Sequence, residues 1–203
     1  MSRQSETVLV VDGDFRVREA LTDLFASRRL DCVAFASAGE YLRFVHPEGA
    51  ICLVLDVSMP DMDGLELQSA IAPADHPPIV FISGHADVPS SVRAMKAGAI
   101  DFLTKPWRDE DLLRAVRAGL DRDRQRLQDK AEMSVLEARL ASLTPRERQV
   151  LPLVVRGLLN RQAAVQLGIS EVTLQIHRGK IMRKMQAASL PDLVRMADKL
   201  DVR

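Results

Sequence analysis

The chain has 203 residues, enough for one large or two modest domains, and its 47% hydrophobic and 4% aromatic content is ordinary for globular proteins. No apolar run approaches the roughly 20 residues that span a bilayer, and residues 1–6 are polar, unlike the start of a signal peptide. The composition therefore excludes a helical membrane protein and predicts a cytoplasmic chain with no membrane partner.

The formal net charge of zero hides an uneven distribution. Residues 1–123 carry 13 basic and 20 acidic side chains, whereas residues 124–203 carry 15 basic and 8 acidic ones. An acidic half suits a metal cation, and a basic half suits a polyanion such as nucleic acid. The two cysteines, Cys32 and Cys52, each lie in an apolar run, which favours buried thiols over a disulfide or a metal pair.

From residue 7 to about residue 119, β-branched runs alternate with stretches of helical period. This alternation predicts an α/β domain with a doubly wound, five-stranded parallel sheet. The predicted strands are 7–11, 32–36, 51–55, 79–82 and 100–103, and the predicted helices are 15–28, 38–45, 65–71, 89–97 and 108–120.

The segment that follows lacks glycine and proline and is rich in charge, so the last helix is expected to continue as a helical linker. Leu136, Leu140 and Leu143 fall there at helical spacing. This stripe suits either a dimer contact or packing within the chain, and it is too short to indicate a coiled coil.

A small all-α domain is predicted after the linker, with helices at 145–156, 160–167, 171–185 and 189–199. Thr144 can cap the first of these helices, Pro145 fits its first position, and Glu147 completes a capping box. The predicted organisation is therefore a first domain at 1–122, a helical linker at 123–142 and a helix-turn-helix domain at 143–203.

Polar residues follow four of the predicted strands. Ligands of open parallel sheets bind at the carboxyl ends of the strands, so these residues are expected to converge. They are Asp12 and Asp14, Asp56, Ser83, and Lys105. Clustered carboxylates suit Mg²⁺. Asp56 is then a candidate nucleophile towards phosphorus, with Ser83 and Lys105 available to contact phosphoryl oxygens.

These residues lie in segments that resemble the response-regulator receiver family, and its FixJ branch in particular. The segments are 55–64 (LDVSMPDMDG), 83–85 (SGH), 94–99 (AMKAGA) and 101–106 (DFLTKP). The resemblance implies Asp56 as phosphoacceptor, Ser83 as switch hydroxyl, Lys105 as phosphate-sensing cation and Phe102 as switch aromatic. It also implies Mg²⁺ ligation by Asp12, Asp56 and the Ser58 carbonyl, and a cis Lys105–Pro106 bond.

One position departs from the family pattern, because Gly13 stands where the family usually has a second acid. A missing anionic ligand is expected to weaken Mg²⁺ binding, unless Asp14 reaches the site. A degenerate receiver that works without phosphorylation is therefore one alternative. A more remote one is a phosphatase of the haloacid-dehalogenase type, with Asp12 as its nucleophile, although Arg16 does not fit that motif.

The pattern from 160 to 185 predicts a helix-turn-helix. Gly168 serves the turn and Ser170 caps the second helix, whose basic face is expected to bind DNA. Leu174, Ile176, Ile181 and Met185 are expected to face the core. The alternative is that the charged face of this helix is simply exposed to solvent and does not bind DNA.

The segments 143–151 (LTPRERQVL), 157–161 (GLLNR) and 169–178 (ISEVTLQIHR) are similar to the LuxR-type output domain. By that resemblance, Thr173, Gln175, His177 and Arg178 contact bases or phosphates, and Arg161, Lys180 and Lys184 contact the DNA backbone. Gln175 can bind adenine in a bidentate manner.

The resulting hypothesis is a two-component transcription factor and not an enzyme. A sensor histidine kinase phosphorylates Asp56, and the receiver then forms a homodimer. Paired output domains finally bind two half-sites on double-stranded DNA.

Overall fold

The structure, a computed structural model, describes residues 5–72, 76–84 and 87–202. The chain divides into two compact units, one ending at Leu127 and the other beginning at Gln128, and the division falls inside the predicted linker. No helix within the described ranges is both long enough and apolar enough to cross a membrane.

The first unit is built on a five-stranded sheet of order β2-β1-β3-β4-β5, in which every neighbouring pair is parallel. The strands are β1 Glu6–Val11, β2 Asp31–Phe35, β3 Ala50–Asp56, β4 Ile79–Ser83 and β5 Asp101–Thr104. The predicted doubly wound sheet is confirmed. Each strand lies within a residue or two of its predicted range, and β3 extends far enough to include Asp56.

Helices cover both faces of this sheet. They are α1 Phe15–Ser27, α2 Ala38–Leu42, α3 Gly64–Ile71, α4 Val88–Lys96 and α5 Asp109–Ala141. Alternate residues of a strand point to opposite faces. Val8 and Val10 accordingly join a core with α1 and α5, whereas Leu9 and Val11 join a core with α2, α3 and α4. The predicted helices are confirmed, except that α2 stops at Leu42.

Helix α5 is fixed to the start of β3. Asp123 is fully buried on this helix and accepts hydrogen bonds from the backbone N–H of Ile51 at 2.8 Å and from Arg126 Nε at 2.7 Å. Burial is the main cause that raises the pKa of Asp123. One turn earlier, a Cβ on Gly119 would lie 2.5 Å from Cys52 Sγ, so only glycine permits this close approach of helix and strand.

The second unit contains the end of α5 and four further helices. The structure places these four within a residue of the predicted ranges. They are α6 Pro145–Val155, α7 Asn160–Leu167, α8 Glu171–Met185 and α9 Leu190–Lys199. The capping box of Thr144 and Glu147 is present, and Gly168 ends α7 in the left-handed conformation. Both features agree with the sequence analysis.

One core assignment on α8 is wrong. Leu174, Ile181 and Met185 are fully buried, but Ile176 is 54% exposed. Two residues along a helix correspond to a rotation of about 200°, so Ile176 lies on the face opposite Leu174. Its apolar character had suggested the core, whereas its helical position places it at the surface.

Candidate functional site

Asp56 lies at the carboxyl end of the central strand β3. Asp12 follows directly after the neighbouring strand β1, and Ser83 ends β4 on the other side of β3. Helix α3 begins very close to Asp56, because a Cβ on Gly64 would collide with the Asp56 carbonyl oxygen. Both acids thus lie at the topological switch point between β1 and β3, which is where doubly wound sheets bind their ligands.

Lys105 joins the two acids. Its Nζ lies 2.7 Å from Asp12 Oδ2 and 3.3 Å from Asp56 Oδ2, and both carboxylates are buried. Its backbone N–H donates to the Ser83 carbonyl at 2.8 Å, which ties the end of β5 to β4. The Lys105–Pro106 peptide bond is cis, as predicted.

The two oxygens of Asp56 differ. Oδ2 pairs with Lys105, but Oδ1 is buried and makes no hydrogen bond of standard distance and angle with a described residue. Burial and the nearby Asp12 charge raise the pKa of Asp56, while Lys105 and the Ser58 backbone N–H act in the opposite direction. A buried oxygen without a partner is costly in a folded protein and marks a position that a cation or a covalent group can satisfy.

Two further residues of the predicted pocket have defined surroundings. Ser83 is fully buried at the end of β4. Phe102 is half-buried on β5, and its ring stacks on Phe81 with 6.0 Å between the ring centroids. His85, which the sequence analysis grouped with Ser83, lies outside the described residues.

Asp14 does not join the acidic pair. Its side chain is exposed and caps α1 by accepting from the Arg16 backbone N–H at 2.8 Å. No cluster of three acidic, histidine or cysteine ligands occurs within 5–72, 76–84 and 87–202. Asp12 and Asp56 nevertheless fit Mg²⁺, because this ion is usually held by one or two carboxylates and keeps several of its waters.

Sequence reasoning missed Arg18. Its Nη1 donates to the Asp12 carbonyl at 2.7 Å, and its guanidinium lies 5.8 Å from the centre of the exposed Phe15 ring. Arg18 therefore supports the backbone that positions Asp12. The sequence showed only a basic residue on an amphipathic helix, which gives no signal of this contact.

The helix-turn-helix is present in the second unit. Helix α7 ends at Gly168, and Ser170 caps α8 by accepting from the Thr173 backbone N–H at 3.1 Å. Arg161, Gln175 and Lys180 are exposed on these two helices. Long polar side chains that project from α8 are available to the edges and phosphates of a duplex.

The other predicted DNA contacts are partly engaged within the chain. Thr173 Oγ1 shares a hydrogen bond with Ser170 Oγ at 2.8 Å, and Arg178 Nη1 donates to Asn160 Oδ1 at 3.0 Å. His177 is half-buried. The Thr173 and Arg178 hydrogen bonds join the first half of α8 to its N-cap and to the start of α7.

Lys184 differs most from its expected role. Its Nζ donates to Glu147 Oε2 at 2.7 Å and to the Ser142 carbonyl at 3.0 Å, so the ammonium already has two partners within the domain. The hydrogen bond from Lys184 is the main cause that lowers the pKa of Glu147 to about 2. Arg139 adds a second link to the same end of α8 by donating to the Met185 carbonyl at 3.2 Å.

Two family models match the chain, and their ranges correspond to the two kinds of site. Residues 8–117 match the response regulator receiver domain, and residues 141–197 match the bacterial regulatory proteins of the luxR family. Receivers bind Mg²⁺ at an acidic site and imply a histidine kinase partner, while the luxR match implies DNA binding.

Relatives match over nearly the full length. Nodulation protein W of Bradyrhizobium diazoefficiens is 47% identical over 96% of this chain and 86% of its own. Transcriptional regulatory protein FixJ of Azorhizobium caulinodans is 44% identical over 96% of this chain and 92% of its own. The solved structure of response regulator StyR is 47% identical, with a TM-score of 0.85 over 96% of this chain and 99% of that one.

These matches give no support to a phosphatase or to a degenerate receiver. They cover both halves of the chain in the order that the sequence motifs predicted. The chain belongs to the two-component response regulators with a luxR-type DNA-binding domain, a family of transcriptional regulators.

Proposed function

We propose that Asp56 is the phosphoacceptor of this response regulator, and that its phosphorylation drives dimerisation and sequence-specific DNA binding. One observation carries the assignment. Asp56 Oδ1 is a buried carboxylate oxygen without a hydrogen-bond partner among the described residues, at the carboxyl edge of the sheet, while Oδ2 is held by Lys105.

The chemistry follows from that asymmetry. Oδ1 attacks phosphorus, an O–P bond forms, and the P–N bond of the kinase's phosphohistidine breaks, which leaves the imidazole as the leaving group. Lys105 is close enough to pair with a phosphoryl oxygen on Asp56, and the Ser83 hydroxyl is the second donor. Lys105 then exchanges one carboxylate partner for the phosphoryl group, which changes the contacts of β5.

Asp12, Asp56 and the Ser58 carbonyl are the residues that would hold Mg²⁺, which offsets the negative charge that gathers around phosphorus. Gly13 supplies no carboxylate, and Asp14 caps α1. We therefore expect Mg²⁺ to bind more weakly here than in a receiver with three acids.

The readout passes through β5 and α4. Phe102, which precedes Lys105 by three residues, packs on Phe81. A shift of Lys105 towards a phosphoryl group therefore changes the surroundings of the Phe102 ring. The phosphorylated chain forms a homodimer, and its two output domains occupy paired half-sites. Gln175 and Thr173 contact bases, His177 and Arg178 support them, and Arg161 and Lys180 contact phosphates.

The test is intact-mass spectrometry after incubation with acetyl phosphate and Mg²⁺, combined with sedimentation of the same samples. Wild type is expected to gain one phosphoryl group and to dimerise, while Asp56→Asn gains none. Asp61→Asn, an exposed acid in the same motif, is the matched control and should behave as wild type. An adduct on Asp56→Asn, or none on wild type when the cognate kinase is also supplied, would contradict the assignment.

A further inference from the structure

Helix α8 exposes two large apolar side chains. Val172 is 68% exposed and Ile176 is 54% exposed. They are four residues apart and therefore lie on the same helical face, which also includes the exposed Gln175. Neither residue stabilises the fold much at its position. Both contribute little to the core, and β-branched residues have lower helix propensity than lysine or glutamate.

The same face contains a glycine that packing does not require. Gly179 follows Ile176 by three residues, and a Cβ at this position would meet no described atom within 4 Å. Glycine inside a helix is less favourable than alanine. Its benefit is that the backbone can approach another molecule closely.

The surroundings of this face indicate which molecule that is. The exposed Lys180 and Arg183 lie beside it, and residues 144–203 carry 11 basic and 5 acidic side chains. A cationic surface with an apolar strip suits a polyanion that also offers apolar groups. The major groove of DNA meets both conditions, because thymine presents its 5-methyl group there.

We propose that Val172, Ile176 and Gly179 form a strip on α8 that recognises thymine. Val172 and Ile176 contact 5-methyl groups, and Gly179 lets the helix lie close to the base edges. This strip adds to the polar contacts of Gln175, and the inference rests on the proposed docking of α8 in the major groove. Because glutamine suits adenine, we expect adjacent A·T pairs in each half-site.

The test begins with duplexes selected from a random-sequence pool by the full chain treated with acetyl phosphate and Mg²⁺. Each thymine of the selected site is then replaced by uracil, which removes only the 5-methyl group. Wild type is expected to lose about fivefold or more in affinity at one or two thymines. Val172→Ser and Ile176→Ser remove the side-chain methyl groups. At one of these thymine positions, each variant should therefore bind the thymine duplex and the uracil duplex equally well.

Val45→Ser is the matched control. Val45 is an exposed valine of the first unit, and its substitution should leave the discrimination between thymine and uracil as in wild type. The inference is overturned if replacing thymine by uracil has no effect at any position, or if both serine variants retain the wild-type discrimination. It is also overturned if these variants change only the oligomeric state seen by sedimentation, since that would make the strip a contact between copies.

Gly179→Ala separates a binding role from a folding role. It should raise the melting temperature, because alanine favours the helix and its methyl group meets open space, and it should weaken binding to the selected duplex. If Gly179→Ala binds the selected duplex with wild-type affinity, the proposed close approach of α8 to the base edges is wrong. Every variant should retain salt-dependent binding to unselected DNA. Loss of this binding would mean that DNA binding itself has failed, whereas its retention assigns the effect to the proposed strip.

Discussion

Gly13 stands where the sequence analysis expected a second acid of the receiver pattern. It follows the buried Asp12, and a Cβ there would meet only Pro60 Cδ, at an ordinary contact distance of 3.5 Å. The backbone therefore accepts a side chain at this position. An added carboxylate would supply the anionic ligand that Asp14 does not provide.

We expect Gly13→Asp to lower the Mg²⁺ concentration at which phosphorylation by acetyl phosphate is half-maximal, by about tenfold. The measurement is the rate of adduct formation, followed by mass spectrometry over a Mg²⁺ titration. Ala70→Asp places the same charge on the exposed surface of α3 and should leave the midpoint unchanged. If the two variants respond alike, the effect is one of overall charge and not of ligation.

At the scale of elements, the attachment of α5 to β3 depends on one buried carboxylate. Asp123→Ala removes the acceptor of the Ile51 N–H and leaves that donor buried without a partner, which costs about 1–3 kcal/mol. Asp123→Asn keeps an acceptor for the Ile51 N–H but loses the ion pair with Arg126. It should therefore lose less stability than Asp123→Ala. Asp121→Ala removes an exposed pair with Arg124 and should cost at most about 0.5 kcal/mol.

Thermal unfolding can be followed for the first unit alone, because Trp107 is the single tryptophan and packs against the core that contains α5. The melting temperature should fall in the order Asp121→Ala, Asp123→Asn, Asp123→Ala, with the first close to wild type. Equal losses for the two Asp123 variants would assign the stabilisation to the Arg126 pair and not to the backbone hydrogen bond.

The elements themselves were predictable because their signals are local. The continuous apolar run of β3 and the capping residues Thr144 and Ser170 are visible within a few residues of sequence. Asp12, Asp56 and Lys105 were found because strand ends of parallel sheets converge. Other features depend on partners or angles that sequence spacing alone does not give. Lys184 pairs with Glu147 from a different helix, which spacing does not show. Ile176 was wrongly assigned to the core because its apolar character was weighed above its position on the helix.

At the scale of the whole molecule, the two signs of charge belong to different units. The excess of basic residues lies in the part that carries the helix-turn-helix, where it favours binding to phosphates and makes affinity depend on salt. Net charge does not say which lysines take part. The structure separates two of them on α8, since Lys180 is exposed and Lys184 is paired inside the domain.

We expect Lys180→Gln to reduce the slope of log affinity against log salt by about one, because each phosphate contact contributes about 0.9 to that slope. Lys184→Gln should leave the slope unchanged. It should instead lower the melting temperature of the output domain, because Glu147 is only 2% exposed and loses its cationic partner. Both slopes can be measured by fluorescence anisotropy with an unselected duplex, below the melting temperature of the weaker variant. A reduced slope for Lys184→Gln without a loss of stability would return this lysine to the DNA interface, and Glu147 would then release it when DNA binds.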